Sequence, residues 1–229
     1  MAMKFFDDGR VRPYPGNTII CNVIPDSPIH RCMVRLQQEL TVLPYADAFA
    51  FLPPNSFHMT LFRGVNDQLR VLGEWPRNLA METPLEEVTR EFCARLKTVT
   101  LPGGFRMRAN SLTNTGTGEI QLFIEGADET ERENLKTARR LLSKTLRHER
   151  SGDDDDHFHI SFAYRIKSIS EEETERLGES CRRLFNEIVA PVGCFEVGPP
   201  TFCRFPDMLS FIPLLDLSIP HDTRDGCCD

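Results

Sequence analysis

The strongest constraint on this chain is a pattern that occurs twice. An apolar, β-branched run at 18–24 (TIICNVI) is followed by a helical stripe at 28–40 and an alternating strand at 57–62. The same succession returns at about 119–125, 128–147 and 157–165, and His58 of the first alternating strand matches His159 of the second, 101 residues on. A unit repeated at a fixed offset reads as a duplication. It predicts one duplicated α+β domain over 18–217, with pseudo-repeats at about 18–112 and 113–217. Residues 1–17, rich in Pro, Gly and charge, read as an N-terminal arm, and 218–229 as a mobile tail.

Local signals place the elements. Ser27-Pro28, Thr83-Pro84 with Glu86, Asp128 with Glu131, and Ser170 with Glu173 all read as helix starts. The last of these predicts a helix to about Val189, while Pro44 and Pro53-Pro54 bracket an irregular piece. Strands are expected at 105–112 and 120–125, then as short separate pieces at 194–197, 201–205 and 211–217.

On a strand, side chains alternate between faces. Phe57, Met59 and Leu61 therefore enter the core, and His58 and Thr60 share the opposite face. In the second copy Phe158, Ile160 and Phe162 enter the core, and His159 and Ser161 share the other face. The bare His-x-Ser/Thr pattern is weak, since His221-Asp222-Thr223 matches it without apolar flanks. Its weight comes from the flanks and the common offset. Strict alternation puts His157 on the face of His159, as a further candidate to line the cleft and bind substrate, sends Tyr164 to the core, and leaves Arg63 off the His58 face unless a bulge intervenes. Arg63 and Arg204 are candidate phosphate cations, while Tyr14, Asn17 and Phe205 are candidates to stack on or bond a base. Arg139-Arg140 reads as helix surface.

Paired imidazoles beside hydroxyls suit phosphodiester chemistry. Opening a 2′,3′-cyclic phosphate needs a base for water and an acid for the departing ribose oxygen, and imidazole does either near neutrality. The hydroxyls can donate to the non-bridging oxygens, where charge gathers in the transition state.

These strands, with PGNTIIC (15–21), FHMTLFRGV (57–65), FHISFAY (158–164) and PPTFCRFPDM (199–208), resemble the 2H phosphoesterase superfamily, which includes 2′-5′ RNA ligase-like proteins and cyclic nucleotide phosphodiesterases. The likeness is to an uncharacterised bacterial and fungal branch. It implies a two-lobed fold of antiparallel sheets flanked by helices around a central cleft, with elements that can swap between the lobes and with His58, Thr60, His159 and Ser161 as the catalytic set. It further implies a metal-independent phosphodiesterase with His159 as base and His58 as acid, acting on a cyclic phosphate, a 2′-5′ linkage or a related small nucleotide. Ser161 departs from the commoner Thr by one methyl.

Two other readings compete. One is a binding module of the same shape for nucleotides or RNA ends. The other is a metal-dependent hydrolase built on His157, His159 and Asp153–Asp156. Lys plus Arg is 27 against 34 for Asp plus Glu, and the net charge of −7 argues against a broad grip on DNA or long RNA. A small nucleotide or short RNA end is the expected partner, with no cofactor. No run approaches the roughly 18–20 apolar residues of a membrane span. No secretory signal is evident and the eight cysteines form no C-x-x-C pair, so a reduced, cytoplasmic, monomeric protein is expected.

Overall fold

A computed structural model describes residues 4–114, 118–149 and 157–221. The expected tail at 218–229 lies mostly outside them, as does the Asp153–Asp156 run. The elements run β1 (Gly16–Val23), α1 (Pro28–Thr41), β2 (Phe49–Phe51), β3 (His58–Asn66), α2 (Leu85–Leu96), β4 (Phe105–Asn114), β5 (Glu119–Gly126), α3 (Glu129–Leu146), β6 (Phe158–Arg165), α4 (Glu171–Leu184), β7 (Cys194–Phe205) and β8 (Ile212–Asp216).

Helix starts follow the capping residues. The Ser27 hydroxyl accepts from the His30 amide, Asp128 accepts from the Glu131 amide, and Ser170 with Glu173 closes a reciprocal capping box. The α2 start differs from expectation. Pro84 is its N-cap residue and makes no side-chain bond, so Thr83 builds no capping box. The final helix runs to Val189 as expected, but its last turn, Phe185–Val189, is π-helical rather than α-helical.

The strands form one antiparallel sheet in the order β2-β6-β5-β4-β7-β1-β3, with β8 also paired to β7. The two expected sheets are therefore continuous through the β4–β7 pairing. β7 is a single strand rather than two, because its neighbours change along its length. Residues 194–197 pair with β4, and 201–204 pair with β8 after the Pro199-Pro200 step. Its other edge stays on β1 throughout, from Val197 to Phe205. The piece between Pro44 and Pro54 contains β2, which pairs with β6 at the sheet edge.

The four helices cover one face. Met33 and Leu36 of α1, Phe92 of α2, Leu142 of α3 and Cys181 of α4 bury there against Met59, Leu61, Ile160 and Phe162 from the strands. Each large apolar side chain so buried is worth about 1.5–3 kcal/mol. The opposite face is left for chemistry. A smaller cluster of Phe5, Tyr14, Leu52, Phe205 and Met208 borders it, and the N-terminal arm packs there.

Candidate active site

The two His-bearing strands depart from regular pleating at equivalent places. Along β3, Ile20 of β1 pairs with Thr60 and Ile19 with Phe62, which makes Leu61 the extra residue of a bulge. Along β6, Gln121 of β5 pairs with Ser161 and Ile120 with Ala163, which makes Phe162 the extra residue. Leu61 and Phe162 are 101 residues apart, so the offset of the repeat holds through the irregularity. Each bulge places two successive residues in the core, Leu61-Phe62 and Phe162-Ala163, and turns the next residue over. Arg63 thereby returns to the face of His58 and Thr60, and Tyr164 to the face of His159 and Ser161.

All six side chains line one cavity of about 320 Å³. The core position expected for Tyr164 is thus corrected by the bulge. Two bonds hold the β3 bulge: Arg139 Nε donates to the Leu61 carbonyl at 2.9 Å and the Thr18 hydroxyl to the Phe62 carbonyl at 3.2 Å. Arg139 also lies over the Phe158 ring at 3.9 Å, so it ties β3 to β6 and is not the plain surface residue expected.

His58 is fixed in orientation. Its Nδ1 lies 2.7 Å from the Ser56 carbonyl, which can only accept, so Nδ1 carries the proton and Nε2 is the reactive nitrogen. The ring packs 4.3 Å from that of Phe211. Burial pushes its pKa down to about 4, with the Ser56 bond opposing and a charged His159 adding to the fall. His159 is more exposed and is also lowered, first by desolvation; Glu119 opposes that, and Lys4, Arg63 and Arg139 add to it. Burial therefore biases both imidazoles to the neutral form. Ser161 receives a 3.4 Å contact from Gln121 Nε2, which also donates to Glu119 at 2.8 Å.

The remaining candidates divide. Tyr14 and Phe205 line the same cavity, and Phe205 stacks toward Phe211 with centroids 5.4 Å apart. Asn17 also borders it, but its side chain is committed. Its carbonyl oxygen accepts from the Val65 amide and its nitrogen donates to Thr89, each at 3.0 Å, in a residue 1% exposed. Asn17 thus locks β1 to β3 and α2, which corrects its reading as a base-binding group. Arg204 is exposed and lines a separate cavity beside Arg90, on the α2 side of β7. His157 precedes β6, is exposed and is not among the cavity-lining residues. Lys4 and Glu119 carry no local sequence signal, being 115 positions apart, yet their ion pair of 3.0 Å borders the site. Among the described residues, no group of three or more His, Cys, Asp or Glu side chains is placed to hold a metal. No described helix is long and apolar enough to cross a membrane.

Solved structures share this fold. A structure described as a phosphoesterase superposes with a TM-score of 0.51 at 11% identity, covering 89% of this chain and 97% of that one, a likeness of fold alone. A conserved protein of unknown function from Agrobacterium tumefaciens str. C58 is much nearer, with a TM-score of 0.86 and 27% identity over 95% of this chain and 91% of that one. No curated protein matches the chain significantly. The family model described as "2H-phosphodiest: Domain of unknown function (DUF1868)" matches residues 4–118, half of the chain. The chain belongs to this 2H phosphodiesterase family, which supports a phosphodiesterase-type function.

Proposed function

We propose that the chain hydrolyses a small phosphodiester, a 2′,3′-cyclic phosphate, a 2′-5′ linkage or a related nucleotide, by acid–base catalysis between His58 and His159 without a metal ion. One observation carries the reading: an imidazole, a hydroxyl and, through two equivalent bulges, a third polar side chain from each strand line a single cavity. That cavity, about 320 Å³, sits at the small end of ligand pockets, as a mononucleotide-sized substrate requires.

The solvent-facing His159 takes a proton from water, whose oxygen attacks phosphorus. The bond from phosphorus to the leaving ribose oxygen breaks, and that oxygen takes the proton held on His58 Nε2. Thr60 and Ser161 donate to the non-bridging oxygens as negative charge builds on them. Arg63 offers a fixed positive charge on the first strand. The anionic substrate itself favours the protonated form of His58 that burial disfavours.

The test is turnover of a panel of 2′,3′-cyclic nucleotides and short 2′-5′ oligonucleotides in EDTA, with products separated by chromatography. Cleavage of at least one member in EDTA is expected. Cleavage abolished by chelation and restored by a divalent ion would overturn the metal-free reading, and tight nucleotide binding with no product would replace it by a binding role.

A further inference from the structure

The repeat gives each strand a third cleft residue, Arg63 on β3 and Tyr164 on β6. Their sheet partners are equally matched, Thr18 opposite Arg63 and Glu119 opposite Tyr164. The first half therefore presents a cation beside a neutral hydroxyl, while the second presents a phenol beside a carboxylate. Left so, the second half would repel an anion. Lys4, from the N-terminal arm outside the repeat, changes this. Its ammonium sits 4.2 Å over the Tyr164 ring, 3.0 Å from Glu119 Oε1, and it lines the same cavity as His58 and His159.

We propose that Lys4 is an anion-binding residue of this site: it supplies the second half with the cation that position 164 lacks, and contacts the substrate phosphate opposite Arg63. The inference rests on the phosphodiester reading above. An ammonium has three donors; Glu119 takes one and the Tyr164 side chain a second, which leaves the third for an anion. The arm does not depend on this ion pair for its position. Phe5 is buried and stacks on Tyr164 with centroids 5.5 Å apart, Phe5 pairs with Val11, and the Tyr14 amide donates to the Pro206 carbonyl at 2.8 Å.

The competing explanation is a latch that only ties the arm to Glu119. Inorganic phosphate binding, by calorimetry and as competitive inhibition, separates the two in Lys4→Met, Lys4→Arg and Glu119→Gln. Loss of a charge-assisted bond to phosphate should weaken binding roughly 10–100-fold in Lys4→Met. Lys4→Arg should retain most of it, and Glu119→Gln should bind phosphate at least as tightly as wild type, since a negative charge has left the site. The melting temperature of each variant reports the latch. Phosphate affinity unchanged in Lys4→Met, or weakened equally in Lys4→Met and Glu119→Gln, would overturn the inference. Wild type that neither binds phosphate nor cleaves any diester would overturn the site reading together with it. Phosphate binding without turnover would overturn only the catalytic reading, and the Lys4 comparison would still be read from affinity.

Discussion

Protonation of His58 should be coupled to occupation of the cleft. Its pKa falls to about 4 by burial, from an ordinary imidazole value near 6.5, so charging it in the empty protein costs about 3 kcal/mol more than in water. A phosphate carrying one negative charge about 4 Å from Nε2 returns about 4 kcal/mol at an effective dielectric constant of about 20. The two are of similar size, so ligand binding should bring the His58 pKa back toward its ordinary value, with uptake of up to one proton. NMR titration of the His58 ring, in the empty protein and with saturating inorganic phosphate, measures both states. The empty protein should show His58 neutral down to about pH 4 as the Nδ1–H tautomer, and the complex should titrate well above that. Stability carries the same signature. The folded value is depressed, so the unfolded chain takes this proton first as pH falls. The contribution is complete above about pH 6.5 and is lost progressively toward pH 4, by about 3 kcal/mol in all. His58→Gln should lack that component of the pH dependence. A titration near 6.5 in both states would refute the argument, since no burial penalty would then exist for the ligand to offset.

Further outcomes follow from the same geometry. Thr60→Val and Ser161→Ala each remove one donor to the non-bridging oxygens and should lower kcat by about 10²–10³ with the fold intact, as steady-state kinetics and melting curves will show. Gly64→Ala should destabilise by about 1–3 kcal/mol in chemical denaturation, because a Cβ there would lie 2.0 Å from Asn17 Oδ1 and 2.4 Å from its carbonyl oxygen. A wild-type melting midpoint in Gly64→Ala would mean that the β1–β3 contact is looser than described.

Much of the fold was legible because burial writes a period into the sequence. The alternation around His58 and His159 and the caps at Ser27, Asp128 and Ser170 are local signals that the structure obeys. Alternation alone misled at Tyr164, because a bulge resets the phase of the pleat. The cue is the pair of adjacent apolar residues in each strand, Leu61-Phe62 and Phe162-Ala163, at the same place in both copies. Read as doublets, they turn Arg63 and Tyr164 to the chemical face. Arg204 and Asn17 misled for another reason: residue type fits a ligand, but strand pairing sends Arg204 to a different cavity and Asn17 into the β1–β3 joint. Lys4 meets Glu119 only through tertiary structure, and nothing in either neighbourhood announces it.

The central claim is that one imidazole serves water and the other serves the leaving group. It is tested most directly by comparing His58→Ala and His159→Ala on two substrates, a 2′,3′-cyclic nucleotide and a diester with a p-nitrophenolate leaving group that needs no proton. Losing an acid or a base costs roughly 10²–10⁴ in rate. His58→Ala should lose that much on the cyclic nucleotide and little on the activated diester, while His159→Ala should lose it on both. Wild-type rates in either variant on the cyclic nucleotide would contradict the paired-histidine account, and the opposite pattern across the two substrates would contradict the assignment of acid and base.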